Sequence, residues 1–170
     1  MPLPKPELSL KARALRFLAA REHSRLELAR KLARHSDDAG EIERVLDELA
    51  GRGWLSAERF AESVAHRRAG RYGSARIRQE LQQHGVEREV AAPVLAALQA
   101  TELERATALW RQRFGRPPKD LAERARQQRF LLARGFSGDT VRRVLREAAA
   151  AGGPGEDGDT AEGAHAWDDE

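Results

Sequence analysis

The sequence predicts an all-α protein built of three tandem repeats, each of three helices. Three observations lead there. Strand formers are almost missing: isoleucine occurs only at 42 and 77 and tyrosine only at 72, while alanine, leucine, arginine and glutamate dominate. Apolar residues recur at helical spacing along nearly the whole chain. A skeleton also repeats. Leu81, Gly85-Val86 and Val94-Leu95 are reproduced by Leu131, Gly135-Phe136 and Val144-Leu145 at an offset of 50, and Leu32 with Val45-Leu46 precedes them at an offset of 49. Leu28 falls opposite Ile77, and Leu49 opposite Leu98. A long fixed period is the mark of one small unit stacking on its neighbours. The first copy has His35-Ser36 where the other two have the glycine.

Nine helices follow from this pattern. The first spans about Ser9 to Glu22 and buries Leu10, Ala14, Phe17 and Leu18. Ser24 caps the second, with Glu27 completing a capping box, and Leu28 and Leu32 face inward. Asp38 and Glu41 open the third, which buries Ile42, Val45, Leu46 and Leu49 and ends at Gly51-Gly53. Ser56 caps the fourth, carrying Phe60, Val64 and Ala65. Gly73 or Ser74 starts the fifth, whose core residues are Ile77 and Leu81 and whose stop is Gly85. The sixth runs through Val90, Val94 and Leu98, with Pro93 calling for a kink or for a start later than Glu87. Thr101 with Glu104 caps the seventh, which carries Leu103, Ala106, Trp110 and Phe114. After a loop at "GRPPKD" the eighth ends at Gly135, and Ser137 or Asp139 opens the ninth, with Val141, Val144 and Leu145. The middle helix of each repeat is short enough to depend on tertiary packing. The expected divisions are an extended segment 1–8, repeats 9–56, 57–100 and 101–150, and a disordered acidic tail 151–170.

Composition narrows the function. The chain has no cysteine, so disulfides and thiolate metal sites are excluded. No apolar run is long enough to span a bilayer, and "MPLPKPELS" has no signal-peptide core, which makes a cytoplasmic protein the expectation. The five histidines show no metal-ligand spacing and read as solvated surface. No glycine-rich phosphate loop, nucleophile elbow or paired carboxylates appear, so neither an enzyme nor a cofactor is expected.

Charge is unevenly distributed. The net charge is +3, yet residues 151–170 hold seven acids and no lysine or arginine, leaving a strongly basic body. Such a body suits a polyanion. Arginine exceeds lysine 26 to 4. "HRRAGRYGSARIR" places Arg67, Arg68, Arg71, Arg76 and Arg78 beside two glycines with no acid between them. The glycines let the backbone turn and approach a partner closely, and helix N-termini with arginines suit phosphate. "RARQQRFLLARGF" adds Arg124, Arg126, Arg129 and Arg134, and Lys11, Arg13, Arg16 and Arg21 form a third group. The phenylalanines and Trp110 sit at core positions, Trp54 reads as an anchor between the first two repeats, and Tyr72 alone among the aromatics lies between basic runs. The acidic segment is expected either to occupy the basic surface weakly or to serve solubility.

"SRLELARKL", "VLDELAGRGWLSAERFAES", "RRAGRYGSARIRQELQQHGV" and "RFLLARGFSGDTVRRVL" resemble the RecX family of small bacterial regulators, in matching order over residues 10–148. Gly-x-x-Arg-Ile, then Glu-Leu and Gly-Val, is the most specific block. The resemblance implies helix-turn-helix-like units in an elongated, curved array. It implies a monomer that binds the RecA–single-stranded DNA filament, in contact with single-stranded or duplex DNA. Filament extension, ATPase, strand exchange and co-protease activity would be limited, in DNA repair, recombination and the SOS response. By position, the contact residues it implies are Arg71, Arg76 and Arg78, with Arg25 and Lys31 in the first repeat and Arg126, Arg129 and Arg134 in the third. The acidic tail is outside the family pattern. Two competing readings are an autonomous helix-turn-helix nucleic-acid-binding module, which would select duplex sequence, and a helical scaffold with no nucleic-acid partner.

Overall fold

A computed structural model describes residues 8–152, and among them nine helices and no strand. In chain order they are α1 (Leu10–Ala20), α2 (Arg25–Leu32), α3 (Ala39–Gly51), α4 (Ala57–Arg68), α5 (Ser74–Gln83), α6 (Arg88–Ala100), α7 (Glu102–Arg113), α8 (Leu121–Ala133) and α9 (Gly138–Ala151). Local chemistry sets most of their starts. Ser9, Ser24, Asp38, Ser56, Asp120 and Ser137 each accept a hydrogen bond from the amide three residues on. These bonds satisfy donors that the helix itself cannot. Gly73 and Glu87 precede α5 and α6 without a side-chain cap.

The recurring Leu-x-x-x-Gly-apolar skeleton is a helix stop. Gly85 (φ +71°) and Gly135 (φ +83°) take the left-handed conformation that favours glycine. Val86 N–H then donates to Leu81 C=O at 3.0 Å, and Phe136 N–H to Leu131 C=O at 3.4 Å. The same pairing closes α3, where Gly53 has φ +70° and Trp54 N–H donates to Leu49 C=O at 2.9 Å.

Each three-helix unit encloses its own core. Leu10, Ala14, Leu28, Leu32, Ile42, Leu46, Leu49 and Leu55 form the first. Phe60, Val64, Ile77, Leu81, Val86, Leu95 and Leu98 lie in the second. Trp110, Leu131, Phe136, Val141, Val144 and Leu145 lie in the third.

α6 starts at Arg88, after Glu87, which is one of the two outcomes expected from Pro93, and the proline lies inside the helix with its ring exposed to water. Other expectations need correction. Thr101 does not cap α7: its hydroxyl turns back to the carbonyls of Ala97 and Leu98. Trp54 is 43% exposed with the Arg52 guanidinium 5.1 Å from its ring, so it anchors no junction. His23 is buried rather than solvated. The segment 1–8, apart from Leu8, and the acidic tail beyond Gly152 lie outside the described residues.

Candidate nucleic-acid interface

The basic loop between α4 and α5 is fixed by the third repeat. Gly73 N–H donates to Arg134 C=O at 2.9 Å and Ala75 N–H to Gly135 C=O at 3.3 Å. A Cβ on Gly73 would lie 2.2 Å from the Gly135 oxygen, and one on Gly135 would lie 2.6 Å from Arg76 N. The close backbone approach that these glycines permit is therefore to the chain itself.

Two charged side chains brace this contact. Arg105, on α7, donates to the Ala69 and Tyr72 carbonyls of the loop and to the Leu98 carbonyl, each at 2.8 Å. Burial lowers the pKa of its guanidinium, which stays protonated. Glu102, 6% exposed, accepts from Ser74 N–H at 3.1 Å, Ser74 Oγ–H at 2.6 Å and Thr140 Oγ1–H at 2.9 Å, with Ser137 N–H at 3.4 Å. Burial alone would raise its pKa, but these donors outweigh it and hold the pKa below the usual carboxylate value.

The loop so placed forms one wall of an open cleft of about 480 Å³ between the second and third repeats. Arg71, Tyr72, Leu109, Gln112, Arg113, Phe130 and Arg134 line it, with no acid. Arg134 is held at both ends. Its carbonyl takes the Gly73 amide, and its guanidinium lies 3.7 Å from the Phe130 ring centroid and donates to Phe130 C=O at 3.3 Å. Phe130 meets Phe114 edge-on at 5.1 Å, and Arg113 and Arg126 stand 5.6 and 5.8 Å from Phe114. Half-buried phenylalanines thus carry a layer of guanidinium groups. Among the described residues, Arg71, Arg113, Arg126 and Arg134 have no carboxylate partner.

Apart from Tyr72, which lines the cleft, the other sequence candidates are scattered. Tyr72 is half-buried between Arg68 at 5.7 Å and Arg76 at 5.2 Å, and Arg68 also pairs with Glu80 at 3.0 Å. Arg67 donates to Ser63 C=O at 3.1 Å. Arg129 is exposed on α8. Arg78 lines a different groove, between α5 and α6. Arg25 is occupied by Glu43 and Asp47 on α3. Lys31 is tied inside the first repeat: its ammonium donates to His23 Nε2 at 2.8 Å and lies 4.9 Å from the Phe17 ring centroid. His23 Nδ1–H in turn donates to Arg21 C=O at 2.9 Å, which makes the ring neutral, and burial lowers its pKa.

Sequence reading overlooked Arg113, Arg105 and Glu102. Arg113 had a detectable signal, since it directly precedes an aromatic at the end of a helix. The other two are defined by partners 28 to 38 residues away, with only the Leu98 and Thr101 bonds closer. Among the described residues no helix is long and apolar enough to cross a membrane, and no group of side chains could hold a metal ion.

Comparison with known proteins matches this architecture unit by unit. The family models "RecX, first three-helix domain", "second" and "third" match residues 11–49, 58–95 and 100–145. The chain is 62% identical over 144 residues to regulatory protein RecX of Leptothrix cholodnii, covering 85% of this chain and 92% of that one. It is 58% identical over 148 residues to regulatory protein RecX of Ralstonia pickettii, covering 87% and 93%. The crystal structure of RecX from Lactobacillus salivarius superposes with a TM-score of 0.72 at 19% identity, over 83% of this chain and 95% of that one, a likeness of fold.

Proposed function

The chain belongs to the RecX family of regulatory proteins, and from that premise we propose that it is a regulator, mainly negative, of the RecA recombinase. It binds the RecA–single-stranded DNA filament as a cytoplasmic monomer and limits filament extension, ATPase, strand exchange and co-protease activity. The observation that supports this reading is the acid-free cleft where Arg71, Arg113 and Arg134 converge from two repeats. Three charges on a braced surface, spaced by aromatic and apolar groups, suit the DNA phosphates of a filament or acidic protein surface along its groove. Arg126 and Arg129 extend the basic surface along α8, and Arg76 beside Tyr72 along α5, whereas Arg78 faces the separate groove between α5 and α6. Arg25 and Lys31 contribute to the first repeat's stability in this reading, because their charges are already engaged. No step of this function calls for catalysis or a cofactor.

The test is RecA-driven ATP hydrolysis on single-stranded DNA, with the protein titrated in. The Arg71→Ala, Arg113→Ala, Arg134→Ala triple variant should need a dose at least about tenfold higher, the loss expected for about 1.4 kcal/mol of binding. A folded triple variant that inhibits at the original dose overturns the assignment of the cleft. Tight, sequence-selective binding of the unaltered protein to naked duplex, with no effect on RecA, would favour the autonomous helix-turn-helix reading instead.

A further inference from the structure

We propose that the acidic segment after Gly152 is an intramolecular ligand of the arginine cleft and competes there with the polyanion. The inference depends on the foregoing reading for its consequence, not for the contact itself. Three features support it. The first is where the segment leaves the fold. α7 and α9 run parallel: Glu102 bonds Thr140 at one end, and at the other Gly152 shares a surface groove with Trp110, Arg111 and Pro117. The next residues of α7, Gln112 and Arg113, line the cleft. The origin of the segment and its proposed site therefore flank the same last turn of one helix, a path of roughly one helix diameter, about 10–12 Å.

Reach is the second feature. Residues 153–168 supply sixteen links, and five of the eighteen residues 153–170 are glycine or proline. By random-coil statistics sixteen linker residues reach about 20–24 Å, enough to pass around α7. The third is complementarity. The segment carries seven acids and no lysine or arginine, and it closes with Trp167-Asp168-Asp169-Glu170. The cleft offers the reciprocal set: Tyr72, Leu109 and Phe130 as an apolar floor, and Arg71, Arg113 and Arg134 without a carboxylate among the described residues. One aromatic followed by three acids meets an aromatic floor with three cations.

A tether of this length gives an effective concentration on the order of millimolar, so even a weak contact is populated at low salt and is lost as salt screens it. Because the chain has no cysteine, Asp169→Cys creates a unique labelling site in the full-length protein. With a nitroxide there, the backbone amides of Arg71, Arg113 and Arg134 should broaden at about 50 mM salt and recover at about 500 mM. Trp167→Ala with Asp168→Asn and Glu170→Gln should abolish the broadening. Unaffected cleft amides at low salt overturn the proposal. So does broadening that appears only between a spin-labelled molecule and a separate isotope-labelled one, which would mean contact in trans. The same three substitutions without the label should tighten binding to oligo-dT about threefold to tenfold at low salt and leave it unchanged at high salt. Equal affinities at low salt overturn the competition. If neither form binds oligo-dT, both the competition and direct DNA contact at the cleft fall, and the broadening still decides the contact.

Discussion

Gly73 and Gly135 meet backbone to backbone, with the Gly73 amide 2.9 Å from the Arg134 carbonyl and no room for a Cβ on either residue. Gly73→Ala would place a methyl carbon 2.2 Å from the Gly135 oxygen, so the second and third repeats must shift apart. We expect a loss of about 2–4 kcal/mol in urea unfolding, at the upper end of overpacking costs because backbone cannot rotate away. Gly70→Ala, where nothing stands within 4 Å of the added carbon, should be close to neutral.

Glu102→Gln keeps the size of the side chain and removes the charge that gathers Ser74, Ser137 and Thr140. An amide nitrogen would face one of these donors, leaving a buried group unsatisfied, at about 1–3 kcal/mol. The pH dependence has a definite sign. The folded pKa is lower than the unfolded value of 4.5, so the contribution is present above that pH and is lost as pH falls through the folded pKa. The Gln variant should show a flatter fall in stability below pH 4.5.

His23 gives a second pH effect, in a higher window. Burial lowers its pKa from 6.5, with Arg21 and Lys31 acting the same way and Glu27 and the Arg21 carbonyl opposing. The unfolded chain therefore takes up the proton first, and stability should decline as pH drops from 6.5 through the folded pKa. NMR titration of the ring together with denaturation at several pH values checks this; a ring titrating above 6.5 would contradict it.

Arg105→Lys tests the brace under the basic loop. A single ammonium cannot reproduce the planar fork that serves three carbonyls from two nitrogens. We expect the variant to remain folded, with about 1–3 kcal/mol lost, and to weaken RecA inhibition although Arg105 itself does not line the cleft. Undiminished inhibition would show that the loop is held without it. Leu81→Ala, fully buried in the second core, should instead cost about 2–5 kcal/mol with no selective effect on binding.

Salt separates DNA contact from protein contact. If phosphate is bound, log affinity falls with log salt by about 0.7 per phosphate neutralised on a single strand. Removing Arg71, Arg113 and Arg134 should flatten that slope. Arg25→Ala should leave slope and affinity unchanged and cost no more than about 1 kcal/mol, because Glu43 and Asp47 hold it on an exposed surface.

Much of this was legible in the sequence because it is local. The caps at Ser24, Asp38 and Ser56 involve residues three apart, and the Leu-x-x-x-Gly skeleton encodes a hydrogen bond five residues long. The same skeleton at Leu49-Gly53-Trp54 went unnoticed because it ends a third helix rather than a middle one. Arg71, Tyr72 and Arg134 were singled out as candidates, and the structure brings these three to one cleft; it gives no such meeting of Arg25, Lys31 and Arg78. Glu102 and Arg105 stayed hidden among 27 acids and 30 bases because only folding reveals their distant partners. His23 looked solvated because its neighbours in sequence are polar, whereas Phe17, 6.0 Å away, and Lys31 enclose it.

The two junctions between repeats are built of different materials. Backbone hydrogen bonds, a buried carboxylate and the Arg105 fork weld the second repeat to the third. Between the first and second, the described contacts include one exposed ion pair, Glu22 with Arg59 at 2.7 Å, and the Leu26 side chain beside Gly85, where a Cβ added to the glycine would lie 3.4 Å from it. In an array whose units interact only with neighbours, thermal bending concentrates where the coupling is weakest. Bending of the array is therefore expected at the junction of the first and second repeats, while the contact of Gly73 with Gly135 keeps the two walls of the arginine cleft in register.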